Sequence, residues 1–300
     1  MKVAALSNTQ LAHRLRSEGI LLRTGPVVTH IQTPLPEVAE AIGQSYAHHE
    51  LTDPAWADFH VRVYAPFLRG HWRAQSQFSF DGYIPFKPLP RAHAFALLEW
   101  GLNWCVANHL HNHLVIHAAA LERGGRAVVL AAPPGSGKST LCAALIHRGW
   151  RLLSDELSLV RLSDGRLSAL ARPVNLKNTS IGIIRNFAPE AVIGRETHDT
   201  SKGTVAHLNP PPESVIRQDE TAAPGWVVFP KWQAGAPAEL KARSKARTLL
   251  HFADNAFNYS QLGSAGFRAA AALIDASGCY DFTYSNLDEA IAVFEQLAAT

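Results

Sequence analysis

The sequence predicts an α/β protein in which a P-loop core follows a small N-terminal α+β region. Three observations carry that expectation. An apolar strand over 127–132, a glycine-containing loop and a helical stretch over 138–147 follow one another, the strand–loop–helix order that open α/β sheets use to hold phosphate. Residues Gly19 to Thr33 alternate and are rich in Ile, Leu and Val, as a half-buried hairpin is. The proline-rich stretch from Pro85 to Pro90 separates the two regions, so 1–85 reads as an accessory unit and 86–300 as the P-loop domain.

In order along the chain, the hairpin turns around Thr24-Gly25-Pro26, and Pro36 to Tyr46 reads as a short helix opened by proline. Phe59 to Tyr64 and Gln75 to Phe80 read as strands. From Arg91 to Leu110, Phe95, Leu98, Leu102 and Cys105 recur near helical spacing and predict a buried helix. Strands are expected over His113 to Glu122 and Ala127 to Ala132, joined by the turn Arg123-Gly124-Gly125-Arg126. After the glycine loop, the helix from Lys138 stops before Gly149. Arg151 to Arg161 then reads as one strand, closed by the turn Ser163-Asp164-Gly165-Arg166. The polar stretch 195–225, with Pro210-Pro211-Pro212, is expected to be a mobile loop. Trp226 to Trp232 reads as a strand, Ser244 to Tyr259 as a helix capped by Ser244, and the chain closes with a strand near Tyr280 to Tyr284 and a helix from Leu287 to Leu297.

Composition narrows the function classes. The chain is 47% hydrophobic and 18% charged over 300 residues, which supports a folded core. Lys plus Arg is 28 against 25 Asp plus Glu, a balance too even to point to nucleic acid. The three cysteines Cys105, Cys142 and Cys279 have no paired spacing, which argues against a disulfide framework or a zinc knuckle. Polar residues break Met1 to Asn8 before any secretory h-region, and Glu99, Asn103, Asn108 and His109 interrupt the most apolar stretch short of a membrane span. The compartment expected is therefore the cytoplasm, with no membrane span and a homo-oligomer left open.

The residues with the clearest chemistry are Ala132-Pro133-Pro134-Gly135-Ser136-Gly137-Lys138-Ser139-Thr140. They supply the second half of the Walker A pattern, with Ala132 where its first glycine stands. Glycines let the backbone close round phosphate, successive N–H groups make an anion nest, and the helix N-terminus adds its positive end. The expected ligands are ATP and Mg²⁺: Pro134 to Thr140 line the nucleotide, Lys138 reaches the β- and γ-phosphates, and the Ser139 hydroxyl ligates the metal. Asp155 and Glu156 follow at the end of the next strand, where Mg²⁺ needs a carboxylate and an acceptor hydroxyl needs a base. Because neighbours on a strand point to opposite faces, both acids can face the phosphates only if the backbone bends there. Lys202, beside Gly203 in the polar stretch, is a candidate clamp on the transferring phosphoryl group, with Lys177, Lys245 and Arg247 as further cations. His117 on its apolar strand reads, from the residues alone, more readily as a satisfied core histidine than as a site residue.

With these parts in view, the chain resembles the HPr kinase/phosphorylase family, whose core is PEP-carboxykinase-like. The family's short V-H-G strand, its G-P-S-G-x-G-K-S loop and its R-L-V-A-D-D strand read here Ile116-His117-Ala118, Ala132 to Ser139, and Arg151-Leu152-Leu153-Ser154-Asp155-Glu156. It is more specifically similar to the branch called HprK-related kinase A, from Asp81-Gly82-Tyr83 to the tail, including His198 to His207 and Asp254 to Tyr259. The resemblance implies a serine-kinase-like phosphotransferase in which Asp155 is the general base, Glu156 the metal partner (the family has Asp there) and His117 an active-site residue. It also implies a peptide or small-protein acceptor associated with PqqD-like carriers. Two other classes fit the same motifs: a nucleotide-sensing binding module with little transfer, and a small-molecule kinase.

Overall fold

The computed structural model describes residues 1–52, 56–66 and 74–299. The N-terminal part contains α1 (Asn8–Arg16), β1 (Ile20–Thr24), β2 (Val27–Gln32), α2 (Pro36–Ser45), β3 (Phe59–Tyr64), β4 (Gln75–Phe80) and β5 (Leu89–Pro90), and α3 (Ala94–His109) follows. The five strands form one sheet in the order of their numbers, with β2 and β3 parallel across α2 and the other pairs antiparallel. Its alternation buries Leu22, Ile31, Val61 and Phe78 in one cluster with Leu98, Leu102 and Cys105 of α3. Gly101 permits that packing, since a Cβ there would enter the Phe78 ring. Gly25, at φ +57°, turns the β1–β2 hairpin, and its N–H donates to Gln218 Oε1 at 2.8 Å, tying the hairpin tip to a distant segment.

The rest of the chain is mixed α/β. It runs through β6 (His113–Ile116), β7 (Ala119–Arg123), β8 (Arg126–Leu130), α4 (Lys138–Ile146), β9 (Arg151–Ser154), β10 (Ser158–Arg161), β11 (Leu167–Ser168), β12 (Val174–Lys177) and α5 (Thr179–Phe187). It continues with β13 (Thr197–Thr200), β14 (Gly203–Leu208), α6 (Pro212–Ile216), β15 (Ala223–Trp232), β16 (Glu239–Ala242), α7 (Lys245–Asn255), α8 (Tyr259–Leu262), α9 (Ser264–Asp275), β17 (Gly278–Tyr284) and α10 (Leu287–Ala298). A six-stranded sheet in the order β16-β17-β15-β8-β7-β9 is central, with β17, β15 and β8 parallel. On one face it shares a core with α4, α5 and α10 (Leu141, Ile184, Phe294), and on the other with α7 and α9 (Phe252, Leu273). Such a near-continuous burial of β8 on both faces explains its unbroken run Ala127-Val128-Val129-Leu130.

Several sequence expectations are corrected. The run 113–122 is two strands, β6 and β7, and the run 151–161 is also two, β9 and β10. In each case the chain leaves one sheet and joins another: β6 and β10 pair in a three-stranded sheet, while β7 and β9 pair in the central one. Around His117 the apolar pattern continues through the break because both sheets are buried, whereas at the second break the three consecutive polar residues Ser154, Asp155 and Glu156 interrupt it. The stretch 195–225 is not a long loop. It holds the hairpin β13–β14, which pairs with β12 and buries Val205, Ala206 and Leu208, and then α6. The helix expected to reach Tyr259 ends at Asn255, because Asn258 turns inward, accepting from Val115 N–H at 3.0 Å and donating to Leu110 and His113 carbonyls. All three cysteines are free and buried. Among the described residues no helix is long and apolar enough to cross a membrane.

Candidate functional site

The glycine loop links β8 to α4. Gly135 and Gly137 adopt φ +84° and +88°, the left-handed region that turns successive N–H groups inward. Gly137 is the N-cap of α4, and no side chain caps that helix end. A Cβ on Gly137 would lie 2.5 Å from Tyr284 Oη, so glycine is needed there for space as well as for φ. Two contacts hold the loop from behind. The Trp232 N–H donates to Ser136 O at 2.9 Å, and Tyr284 Oη donates to Gly137 O at 3.0 Å. Pro134 and Gly135 are exposed at the tip, Ser136, Ser139 and Thr140 are half-buried, and Lys138 is buried.

Lys138 Nζ and Ser136 Oγ are buried without a hydrogen-bond partner among the described residues. An unpaired buried ammonium is costly unless a ligand completes it. Burial pulls the Lys138 pKa down, opposed by the Asp155 and Glu156 carboxylates.

Those carboxylates occupy the break between β9 and β10, and His117 occupies the matching break between β6 and β7. The paired registers Ser158↔Ile116 and Ala120↔Ser154 set the two breaks opposite each other. This bend releases Asp155 and Glu156 from strict alternation. Asp155 Oδ2 accepts from Ser139 Oγ at 3.3 Å and from the Asn175 N–H at 3.1 Å, while Oδ1 is buried and unpartnered among the described residues. Burial raises the Asp155 carboxyl above its usual range, with Lys138 pulling the other way. Glu156 accepts from Asn103 Nδ2 at 2.7 Å and pairs with Lys177 Nζ at 3.5 Å. Burial works upward on it too, but Lys177, Lys202, Lys138 and His117 together hold it below the usual carboxylate range. Burial, helped by Lys138, lowers His117 to a pKa of about 4, so its ring is neutral at physiological pH. The His117 N–H donates to Asn255 O at 2.9 Å, and its ring tilts against Phe257.

Lys202 reaches the same place from the tip of the β13–β14 hairpin. Its Nζ lies 5.2 Å from the centre of the Trp100 ring, and its charge acts on Glu156. Gly203, at φ +81°, is required in that turn because a Cβ would collide with Asn178 Oδ1. Lys245 is directed elsewhere, donating to Asp275 O at 2.6 Å, and the Arg247 backbone N–H donates to the Ser244 Oγ cap at 3.3 Å.

Sequence reasoning missed the residues behind Glu156. Asn103, Glu99 and Arg172 line a small pocket whose front is Asp155, Glu156 and Asn175. Arg172 donates to Glu99 Oε2 at 2.7 Å and to Asn103 Oδ1 at 2.8 Å, and Tyr46 Oη donates to Glu99 Oε1 at 2.6 Å. A buried polar chain thus runs from the end of α2 to the Glu156 carboxylate. Its only sequence trace was two charges inside apolar stretches.

The donor set suits Mg²⁺. Ser139 Oγ, Glu156, and the Asp155 and Asn175 Oδ1 atoms, unpartnered among the described residues, are all oxygen donors that could hold it. Among the described residues no three His, Cys, Asp or Glu converge.

Comparison with known proteins gives two likenesses. A family model described as SynChlorMet cassette protein ScmC matches residues 98–175, a span containing most of α3, the glycine loop and both carboxylates. Among solved structures, the Hpr(Ser) kinase/phosphatase from Coxiella burnetii is weakly similar, at 11% identity over 62% of this chain and 97% of that one, with a TM-score of 0.25. A likeness at that level assigns no activity. No curated protein matches the chain.

Proposed function

We propose that the chain is an ATP-dependent phosphotransferase with a PEP-carboxykinase-like core, which moves the γ-phosphate to a Ser or Thr hydroxyl of a peptide or small protein. The observation that carries this reading is the buried Lys138 Nζ and Asp155 Oδ1, both unpartnered among the described residues, on side chains whose charges act on each other. A triphosphate between them would satisfy both, one directly and one through Mg²⁺ or an acceptor hydroxyl. In this reading residues 86–300 hold the chemistry and 1–85 are accessory, and a PqqD-like carrier system is the partner class.

Each role follows from placement. Lys138 and the loop N–H groups take the charge of the β- and γ-phosphates. Ser139 and Glu156 would hold Mg²⁺, which would supply charge neutralisation on the transferring group. Asp155 Oδ1 takes the acceptor's proton as its oxygen bonds to phosphorus and the bond to the β-phosphate oxygen breaks, releasing ADP. The raised pKa of Asp155 makes it a stronger base than an exposed aspartate. A second reading exchanges the acids: the 3.3 Å contact between Ser139 and Asp155 sets two magnesium ligands side by side, leaving Glu156 as base. Asp155 is preferred as base because both Glu156 oxygens are already engaged, by Asn103 and Lys177.

The test is phosphate transfer from γ-labelled ATP to short peptides and carrier proteins encoded beside this chain. Wild type should label an acceptor, Asp155→Asn should bind ATP but lose about 10²–10⁴-fold in rate, and Glu156→Gln should need more Mg²⁺. An Asp155→Asn variant as fast as wild type moves the base to Glu156. Binding of ATP with no transfer to any acceptor supports the nucleotide-sensing module instead.

A further inference from the structure

The two flanks of the glycine loop differ chemically. On one side of β8 lie β7 and β9, which lead to Asp155 and Glu156. On the other lie β15 and β17. Strand β15 outruns β8. Val228 pairs with Leu130, the Ala131 N–H donates to Val228 O at 3.0 Å, and four residues further on the Trp232 N–H reaches Ser136 O. Trp232 therefore stands beside the loop on the flank away from the carboxylates. Its Cβ lies 3.1 Å from where a Cβ on Gly137 would be.

The Trp232 side chain is fixed but open. Its Nε1–H donates to Ser285 O at 3.2 Å, which sets the ring orientation, yet 52% of the residue is exposed. An indole anchored at both its backbone and its ring nitrogen, with its surface left to solvent, is a rigid aromatic face that loses little entropy on stacking.

We propose that Trp232 is the platform on which the purine base of the bound nucleotide stacks. The inference rests on the nucleotide reading above and adds where the base goes. With the γ-phosphate directed to Asp155 and Glu156, the opposite end of a triphosphate leaves the loop toward β15. The first large exposed aromatic surface along that flank is Trp232.

The test compares a ligand that has a base with one that lacks it. Mg·ATP and Mg·tripolyphosphate are titrated calorimetrically into the full chain as wild type, Trp232→Phe, Trp232→Leu and Trp232→Ala, with thermal melts recording that each variant folds. Stacking on an aromatic platform predicts ATP binding on the order of 10-fold weaker in Trp232→Leu and Trp232→Ala. Tripolyphosphate binding should be unchanged in both, and Trp232→Phe should bind ATP close to wild type. Unchanged ATP affinity in Trp232→Leu would overturn the inference and place the base elsewhere. Equal weakening of both ligands would also overturn it, reducing Trp232 to a clasp on the loop. If wild type binds neither ligand, the nucleotide reading itself fails. If it binds both with equal affinity, the nucleotide reading stands and the platform does not.

Discussion

Replacing Arg172 by Met tests whether the polar chain behind Glu156 is a structural unit. Arg172 and Glu99 are 6% and 4% exposed, and the guanidinium supplies the Glu99 carboxylate with a 2.7 Å charge-assisted bond. Its other contacts are the Glu99 carbonyl at 3.0 Å, Asn103 Oδ1 at 2.8 Å and Tyr46 Oη at 3.3 Å. Met fills the stem volume but removes every donor, leaving a buried carboxylate with one partner, Tyr46. Breaking a buried pair from one side typically costs about 3–5 kcal/mol, because an uncompensated charge remains. Replacing both members by apolar residues removes that charge, so Arg172→Met/Glu99→Leu should be more stable than Arg172→Met by about 1 kcal/mol or more. Urea unfolding followed by far-ultraviolet circular dichroism at neutral pH measures both. The variant should also need more Mg²⁺ for transfer, since Asn103 loses the partner that holds it against Glu156. An Arg172→Met variant within 1 kcal/mol of wild type, or a double variant as unstable as the two single losses added, would refute the reasoning.

Two further outcomes are expected. His49 and His113 are buried and held down to about 4 from 6.5, chiefly by burial. The unfolded chain therefore gains protons below pH 6.5 that the folded chain refuses, and the stability present above pH 6.5 should be lost as pH falls toward about 4. Each histidine contributes a slope approaching about 1.4 kcal/mol per pH unit within that window, and denaturant midpoints that stay flat from pH 7 to 5 would contradict it. Lys202→Ala should lower kcat by about 10²-fold while leaving ATP affinity nearly unchanged, as loss of a contact made only in the transition state does. Matching kcat values in variant and wild type would show that the hairpin tip stands outside the reaction.

What was legible in the sequence was what neighbours in sequence decide. The glycine loop, the helix it opens and the carboxylate pair each depend on consecutive residues, and each lies where the local pattern put it. The hairpin at Gly25 and the Ser244 cap were readable for the same reason. Residues 195–208 were misread because their polar character is real but local. Strand β14 forms because Val205, Ala206 and Leu208 meet the buried face of β12, a partner 30 residues earlier that polarity cannot announce. The partnership of Glu99 and Arg172, 73 residues apart, is equally invisible to any local rule.

The strand breaks at His117 and Asp155 make the same point in a form that bears on function. Each lies between two buried strands that belong to different sheets, and around His117 the apolar residues continue on both sides of the break. Long-range contacts stop the strands. The Ser158 hydroxyl donates to Ala118 O at 3.1 Å, and the Asn258 amide holds Val115 and His113. A chain crossing between two sheets must leave both ladders for a residue or two, and the groups exposed there are free to serve a ligand instead of a neighbour strand. Placing two crossings face to face gathers a base candidate, a candidate metal ligand and a neutral histidine at one point, next to a helix N-terminus that no side chain among the described residues caps. The bend that the carboxylate pair needed comes with the fold's change of sheet and is closed locally by Ser154, whose Oγ accepts from the Leu157 N–H at 3.2 Å.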